Sequence, residues 1–403
     1  MQRKILIFNT YPIVAPQHGG QKRAAAIVDK YRTLGHQVRY VGVFTRDAYK
    51  KRGAHDVIIT NQASLDHMNA ANAELVGDLA TGWISRDDKS IYEALIKNIV
   101  AFKPDTIEIE HPFMLPFINK ARDEGYISWQ KFIYSAHNVE WRMKRAMFED
   151  AGLATERTKE LSEQIYRLEE HAVALADIVI VVTDDDKEEF ATMGAKKTIV
   201  APNGINSAYT TQRSLERLRN IYQKKGIKKN IVFVGSWHQP NWQGFLDNVS
   251  TGLGFLPHDT KIIVVGGIVG LIEQYFADKS IVDRVCFMQR TLLLGKVSEE
   301  MLGAVLVLAD EIILPISSGG GSNLKTAEAI LSKKPTVATL YAMRGYDAYM
   351  KLPNMHTAKN RKDFQGKMLS SLNNERVNHY SKAETQLSQR VAWVNVLDKL
   401  KEV

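Results

Sequence analysis

The chain has 403 residues, which is enough for two or three domains of ordinary size. Apolar residues make up 45% and charged residues 24%, a globular composition that excludes a disordered or low-complexity chain. The net charge of +8 favours anionic partners, but no dense basic block or nucleic-acid motif accompanies it, so we expect no nucleic-acid partner.

The N-terminus and the single cysteine bear on localisation. The first apolar run, residues 5–8, is too short for a secretory signal, and no run approaches the roughly 20 apolar residues of a membrane-spanning helix. Cys286 cannot form an intramolecular disulfide, which fits a reducing compartment, and its apolar neighbours predict a buried position. We therefore expect a cytoplasmic protein, and peripheral association with the inner face of a membrane remains open.

Short β-branched runs alternate with amphipathic stretches through the first half of the chain. This alternation is typical of parallel strands joined by helical crossovers. The predicted strands are residues 4–9, 38–44, 57–60, 105–110, 131–136, 178–183 and 198–201. The clearest predicted helices are residues 21–34, 91–102 and 156–176.

A turn at Pro202-Asn203-Gly204 separates this half from a second alternation. The predicted strands of the second half are residues 230–235, 261–266, 284–288, 311–316 and 336–339. The pattern predicts an α/β protein with two Rossmann-like parallel-sheet domains that face each other across a cleft. The predicted boundaries are 1–203 for the first domain, 204–385 for the second, and 386–403 for a final helix.

A glycine-rich loop after the predicted strand 311–316 is the strongest candidate site. Its residues are Gly319, Gly320, Gly321, Ser322, Asn323 and Leu324. Glycines let backbone N–H groups approach a ligand, and the helix that follows carries partial positive charge at its start, so the loop suits a diphosphate. Lys325 adds a full charge, and Glu328 is placed to accept hydrogen bonds from a ribose. The alternative is an ordinary turn with a solvated lysine, and the spacing of a P-loop is absent.

Two loops of the first half offer further candidates. Gly19 and Gly20 open a helix that carries Arg23, a setting in which phosphate or sugar binds. His137 and His111 each end a predicted strand, where a histidine can hydrogen-bond a sugar hydroxyl or exchange a proton near neutral pH. The alternatives are an ordinary helix start and structural histidines.

Gly235 and Ser236 follow the first strand of the second half, where we expect them close to the glycine-rich loop. The alternative is that Gly235 only allows close packing of strand and helix. Histidines, cysteines and carboxylates show no metal-ligand spacing, so we expect no metal ion.

These loops, in this order, resemble those of retaining glycosyltransferases of family 4, which have the two-domain GT-B fold. The resemblance covers nearly the whole chain. It includes the Gly19-Gly20 loop, the segment His137-Asn138-Val139-Glu140, the Pro202-Asn203-Gly204 turn and the glycine-rich loop. It also includes Gly295-Lys296-Val297-Ser298, which resembles the start of the segment that flanks the nucleobase.

The resemblance implies a metal-independent transferase in polysaccharide biosynthesis, with a nucleotide diphosphate sugar as donor substrate and no cofactor. The donor, UDP- rather than GDP-linked, binds to the second domain, and a glycan or lipid-linked saccharide acceptor approaches from the first. His137 contacts the donor sugar near the reacting carbon, Lys325 stabilises the leaving diphosphate, and Glu328 holds the ribose. The final helix crosses back to the first domain.

The chain departs from the family pattern at the glycine-rich loop. The family has a glutamate eight positions before the equivalent of Glu328, and this chain has Gly320 there. An arginine and a lysine near the start of the donor domain are also replaced, by Ser236 and by Gln243 or Gly244. Two alternatives follow: a non-catalytic protein that binds sugar nucleotides, and a sugar-nucleotide epimerase of the same fold.

Overall fold

The computed structural model describes residues 2–62, 73–153, 155–237, 239–318, 323–373 and 380–403. The chain divides into two compact units, Met1–Pro202 with Leu397–Val403, and Asn203–Val396. Each unit is a parallel β-sheet with α-helical crossovers. The prediction of two Rossmann-like α/β domains is confirmed.

The N-terminal domain contains a seven-stranded sheet with the order β3-β2-β1-β4-β5-β6-β7. Its strands are β1 Lys4–Asn9, β2 Gln37–Thr45, β3 Val57–Ile59, β4 Thr106–Ile109, β5 Lys131–Ser135, β6 Ile178–Val181 and β7 Thr198–Val200. Its described α-helices are α1 Gly19–Thr33, α2 Ala73–Asp87, α3 Lys89–Phe102, α4 Leu115–Asp123, α5 Glu140–Asp150, α6 Glu156–Leu175 and α7 Asp184–Thr192. Every strand that the sequence predicted in this half is present, with ends that differ by at most two residues.

The C-terminal domain contains a six-stranded sheet with the order β10-β9-β8-β11-β12-β13. Its strands are β8 Lys229–Val234, β9 Thr260–Val265, β10 Thr291–Gly295, β11 Glu311–Leu314, β12 Thr336–Thr339 and β13 Met355–Ala358. Its described α-helices are α8 Gln212–Lys224, α9 Gln239–Asn248, α10 Ile268–Ala277, α11 Ile281–Arg290, α12 Glu299–Leu308, α13 Leu324–Ser332, α14 Arg361–Asn373, α15 Lys382–Gln389 and α16 Trp393–Val396.

Both faces of the second sheet are covered. Along β8, Val232 packs in one apolar cluster, whereas Ile231 and Phe233 pack in another. Successive side chains of a strand point to opposite faces, so these two clusters lie on the two sides of the sheet. This burial explains why the strands appear in the sequence as short continuous apolar runs.

The predicted strand 284–288 is wrong, because these residues belong to α11. Ser280 caps this helix by accepting a hydrogen bond from the N–H of Asp283, and only Phe287 of the helix is buried. Cys286 is exposed, which corrects its predicted burial. The strand of this region is β10, which begins directly after the helix.

The segment 386–403, predicted as one helix, is interrupted. The α15 helix ends at Gln389, and the N–H of Ile205 bonds to the carbonyl of Val391 while the N–H of Trp393 bonds to the carbonyl of Ile205. These two bonds pair Ala392 with Ile205 in an isolated β-bridge, which interrupts the helix between α15 and α16. After α16 the chain ends in a 3-10 helix, Asp398–Glu402, where Lys30 pairs with Asp398 at 3.3 Å.

Candidate functional site

Each sheet has one point at which the order of its strands reverses direction. In the first sheet β1 lies between β2 and β4, and in the second β8 lies between β9 and β11. In open parallel sheets the loops that leave the carboxyl ends of such strand pairs diverge and leave a crevice for ligands. Among the described candidate residues, His111 follows β4, and Gly235 and Ser236 follow β8, so these three lie beside the reversal points.

Three aromatic side chains meet at the reversal point of the N-terminal domain. Tyr11 follows β1, His111 follows β4, and His137 follows β5. The Tyr11 hydroxyl lies 3.0 Å from Nε2 of His111 and 3.2 Å from Nδ1 of His137. The parallel sheet therefore brings together residues that are 100 and 126 positions apart in the chain.

Two buried carboxylates complete this arrangement. Oε2 of Glu110 lies 2.6 Å from Nε2 of His137, and Oε1 of Glu140 lies 3.1 Å from Nδ1 of His111. Burial raises the pKa of Glu110 to about 7, although Arg23 and His111 oppose the shift. The positive charge of His111 overcomes the effect of burial on Glu140 and lowers the pKa of that carboxyl.

The two histidines differ in their environments. Burial alone would lower the pKa of His111, but the carboxylates of Glu140, Asp78 and Glu110 together raise it above its ordinary value. The pKa of His137 is held well below its ordinary value by burial and by neighbouring His111. At neutral pH these directions favour a charged His111 and a neutral His137.

Asp78 and Lys144 extend the polar cluster on the helical side. Thr10 donates a 2.6 Å hydrogen bond to Asp78, and Nζ of Lys144 lies 3.4 Å from the same carboxylate. The carboxylate of Glu169 on α6 accepts hydrogen bonds from the backbone N–H of Glu140 and of Trp141, so α6 fixes the start of α5. The histidines are thus held by several elements.

Gly20, at the start of α1, packs against Tyr11 and His137. A Cβ atom at Gly20 would lie 2.5 Å from the Tyr11 hydroxyl, closer than real contacts allow, so a larger residue here would force Tyr11 to move. Gly19 precedes it as the first residue of the helix. Arg23, one turn later, is 1% exposed and donates a 2.7 Å hydrogen bond to the carbonyl of Ala201, so the structure places it in the interior of the domain.

The structure defines how a ligand would reach His137. Both of its ring nitrogens already have partners, the Tyr11 hydroxyl and the Glu110 carboxylate. A sugar hydroxyl binds to a ring nitrogen only if it replaces one of them. The two contacts therefore fix the orientation of the His137 ring.

In the C-terminal domain, a second polar cluster lies after β8 and β11. Nζ of Lys325 donates a 3.0 Å hydrogen bond to Oδ1 of Asn241, and the amide of Asn241 donates to both the hydroxyl and the carbonyl of Ser236. Because β8 and β11 are hydrogen-bonded neighbours, the loops that follow them meet. Lys325 and Ser236, predicted from separate motifs, are therefore joined through Asn241.

Lys325 lies in the first turn of α13. Asn323 caps this helix by accepting a 3.0 Å hydrogen bond from the N–H of Lys325, and Leu324 is its first residue. Burial lowers the pKa of Lys325 to about 8, while the charge of Glu328 opposes the shift. A lysine held close to its titration point gains charge when an anion binds beside it.

Glycines let the surrounding backbone approach closely. A Cβ at Gly235 would lie 2.7 Å from Cβ of Ile268, at the start of α10.

Lys296 is exposed directly after β10, and its Cε would lie 3.6 Å from a Cβ at Gly267. The next residue, Val297, packs against the apolar core. The predicted residues Gly319, Gly320, Gly321 and Ser322 lie outside the described residues.

No three histidine, cysteine, aspartate or glutamate side chains in the described part of the chain are grouped to hold a metal ion. Among the described helices, none is both long and apolar enough to cross a bilayer.

The comparisons with known proteins identify the fold. Sucrose-phosphate synthase from Thermosynechococcus elongatus is similar to this chain with a TM-score of 0.67 and 13% identity, over 100% of this chain and 98% of that one. Anabaena HepE in complex with UDP-glucose gives a TM-score of 0.65 and 16% identity, over 100% and 99%. The chain has the GT-B fold.

A further solved structure with a similar fold is a starch synthase. The catalytic domain of starch synthase IV from Arabidopsis thaliana, bound to ADP and acarbose, gives a TM-score of 0.63 at 12% identity, over 100% of this chain and 98% of that one. These neighbours are glycosyltransferases of the GT-B type. No protein-family model matches the chain, and no curated protein sequence does.

Several residues of the two clusters were not predicted as site residues. They are Tyr11, Asp78, Glu110, Glu140, Lys144 and Asn241. A signal for Tyr11 and Glu110 was present, because they follow the ends of buried strands by two residues and by one. Asp78 lies within helix α2, far along the chain from the residues that it contacts, and no sequence pattern distinguishes it.

Proposed function

We propose that the protein is a metal-independent glycosyltransferase that transfers a sugar from a nucleotide diphosphate sugar to a glycan or lipid-linked saccharide, with retention of anomeric configuration. Its fold supports this proposal, since its structural neighbours are GT-B glycosyltransferases. The polar clusters support it independently, because they lie where open parallel sheets bind ligands. We propose a cytoplasmic location, with the positive net charge favouring an anionic membrane surface.

The observation that carries the proposal is the position of Lys325. This cation lies in the first turn of α13, hydrogen-bonded to Asn241 and through it to the loop after β8. Helix N-termini attract phosphate through their N–H groups and partial positive charge. Lys325 adds a full charge at the same place.

The proposed chemistry needs little else from the C-terminal domain. When the bond between the anomeric carbon and the phosphate oxygen breaks, negative charge grows on the diphosphate. Lys325 and the N–H groups at the start of α13 stabilise that charge in the transition state, which accelerates departure of the diphosphate. The departing phosphate then helps to take the proton of the acceptor hydroxyl. Glu328, one turn further along α13, would bind the ribose, and the segment at Lys296 and Val297 would flank the base.

UDP is the nucleotide that we propose first, ahead of GDP. HepE is described in complexes with UDP and with UDP-glucose. Starch synthase IV, which is bound to ADP, shows that neighbours of the same fold take other bases. The base is therefore a question for experiment.

A thermal-shift experiment with nucleoside diphosphates and their sugars tests the proposal. A ligand at one hundred times its dissociation constant stabilises the folded protein by about 2.7 kcal/mol. We expect uridine diphosphate and one of its sugars to raise the melting temperature, while uridine alone raises it less. Absence of a shift with all five bases would contradict the proposal.

Turnover is then measured with the sugar that binds, with mixed oligosaccharide and lipid-linked acceptors. The anomeric proton coupling of the product in NMR reports retention or inversion. Binding without turnover of any acceptor would favour the non-catalytic alternative.

A further inference from the structure

Five buried side chains of the N-terminal domain form one continuous chain of polar contacts, which we call the relay. It runs from Glu140 through His111, Tyr11 and His137 to Glu110. The successive contacts measure 3.1, 3.0, 3.2 and 2.6 Å. Each histidine uses both ring nitrogens, and the single hydroxyl of Tyr11 serves two partners.

Counting protons gives the relay a defined charge. Four contacts between polar atoms need four protons, one in each contact, since two lone pairs facing each other repel. With both carboxylates ionised and both imidazoles neutral, the relay has three protons: one on each histidine and one on Tyr11. One excess proton is therefore required to complete it.

The neighbouring charges decide where the excess proton rests. Glu140 has a lowered pKa and stays ionised, and His137 has a pKa well below its ordinary value and stays neutral. His111 has a raised pKa, because the carboxylates around it outweigh the effect of burial. The proton rests on His111, between Glu140 and Tyr11.

We propose that the relay shares one excess proton, and that Tyr11 is the positioning residue through which charged His111 holds His137 neutral and protonated at Nε2. With both nitrogens of His111 protonated, Nε2 donates to the Tyr11 oxygen. The Tyr11 hydroxyl then has to donate to Nδ1 of His137, and Nε2 of His137 has to donate to Glu110. This inference deepens the proposed function and rests on it only for its effect on turnover.

The same contacts allow the excess proton to move along the relay without a change in the net charge of the relay. A proton passes from Nε2 of His111 to the Tyr11 oxygen while the Tyr11 proton passes to Nδ1 of His137. The Nε2 proton of His137 then passes to Glu110. His111 ends neutral, Glu110 ends protonated, and the relay keeps its net charge. Burial raises the pKa of Glu110 to about 7, so this end state is accessible near neutral pH.

Other charged groups face the relay and will shift its titration. Asp78, paired with Lys144, acts on His111 from the helical side, and Arg23 acts on both Glu110 and His137. His18, at the cap of α1, and Glu108 on β4 complete the set. None of them forms one of the four contacts.

NMR of protein labelled with ¹⁵N in its histidine rings tests the proposal. The signals of His111 and His137 are assigned by their loss in the single variants His111→Asn and His137→Asn. At pH 7 we expect His111 with both nitrogens protonated and His137 with only Nε2 protonated. A His137 ring protonated mainly at Nδ1, or at both nitrogens, would overturn the proposal.

Tyr11→Phe removes the bridging hydroxyl and keeps the ring. We expect the Nδ1 signal of His137 to shift and His111 to lose its second proton at lower pH than in the wild type. The matched control is Tyr40→Phe, which removes another buried hydroxyl, one that donates 2.9 Å to the backbone carbonyl of Tyr11. The control should leave both histidine spectra unchanged, and an unchanged spectrum in Tyr11→Phe would refute the link.

Should Tyr11→Phe fail to fold, as judged by circular dichroism, Glu140→Gln tests the relay from its other end. Loss of this carboxylate should lower the pKa at which His111 titrates, and an unchanged titration would refute its role. These spectra need no nucleotide sugar, so they succeed or fail separately from the proposed function. Given a working transferase, Tyr11→Phe should reduce kcat and shift its pH profile with KM for the nucleotide sugar unchanged.

Discussion

The Nε2 atom of His137 lies 2.6 Å from Oε2 of Glu110, and both side chains are buried. Burial raises the pKa of Glu110 from its ordinary value of 4.5 to about 7. Between these pH values Glu110 holds a proton in the folded state and has lost it in the unfolded state. The contribution of Glu110 to the free energy of unfolding therefore decreases as the pH rises from about 4.5 to 7.

Glu110→Gln should flatten this dependence. The amide oxygen still accepts from Nε2 of His137, but the group no longer titrates. We expect a smaller loss of stability between pH 5 and 7 and a more stable variant above pH 7. Some dependence will remain, because burial also raises the pKa of Glu169 to about 8.

Urea unfolding, followed by tryptophan fluorescence at several pH values, measures the effect. Glu188→Gln is the control, since this glutamate is exposed on α7 and should leave the slope as in the wild type. If Glu110→Gln kept the wild-type slope, the carboxyl of Glu110 would not titrate in this range.

Gly20→Ala should destabilise the N-terminal domain. The new Cβ would lie 2.5 Å from the Tyr11 hydroxyl and 3.4 Å from Nδ1 of His137. Tyr11 has to move, at a cost of about 1–3 kcal/mol typical of overpacking. Thermal or urea unfolding measures the loss.

The control for this substitution is Gly77→Ala on α2, where the added Cβ meets open space. Alanine favours a helix over glycine by up to about 1 kcal/mol, so this variant should be unchanged or more stable. Equal stability of the two variants would contradict the packing of Gly20 against Tyr11.

The alternation of apolar runs was enough to predict most of the fold. Strands that are buried on both faces, such as β1 and β8, consist of continuous apolar runs, which are recognisable in the sequence. The pattern failed at residues 284–288, because a run of four apolar residues does not distinguish a strand from a helix. The signal that decides is the cap, Ser280 with Asp283 three positions later. Strand β13, with the sequence Met-His-Thr-Ala, has no apolar run and was missed.

The candidate sites were predicted only in part. Strand ends pointed to His111 and His137, because the carboxyl ends of parallel strands meet at one edge of a sheet. The glycine-rich loop before a helix pointed to Lys325. The partners of these residues depend on contacts between distant parts of the chain. The Tyr11 hydroxyl contacts His137 across 126 positions, and Asn241 accepts from Lys325 across 84. Neither separation leaves a local pattern in the sequence.

His137→Ala should reduce turnover more than nucleotide affinity. His137 belongs to the N-terminal domain, whereas the proposed diphosphate site lies in the other. We expect kcat to fall about tenfold or more, equivalent to about 1.4 kcal/mol, and the dissociation constant of the nucleotide to stay within about twofold. Steady-state kinetics and calorimetry below the melting temperature measure the two quantities.

The control is His171→Ala, which removes an exposed histidine of α6 and should leave both quantities unchanged. Full activity of His137→Ala would make this histidine purely structural. A fall in nucleotide affinity equal to the fall in kcat would instead assign it to nucleotide binding.

Lys325 should make nucleotide binding depend on pH. Its pKa is lowered to about 8 by burial, so the side chain is mostly charged at pH 7 and mostly neutral at pH 9. A phosphate with its second pKa near 6 is already fully ionised over this range. The dissociation constant of uridine diphosphate should therefore increase above pH 8, by up to about tenfold per pH unit.

Two substitutions separate charge from shape at this position. Lys325→Arg keeps its charge through pH 9 and should bind with little pH dependence, whereas Lys325→Ala should bind weakly at every pH. Lys228→Ala, which removes an exposed charge of the same domain, is the control for net charge and should retain the wild-type curve. Calorimetry from pH 7 to 9 measures all four proteins. A wild-type curve that stays flat, or a Lys325→Ala variant with wild-type affinity, would remove Lys325 from the phosphate site, because a cation that contacts the diphosphate has to change affinity when it loses its proton.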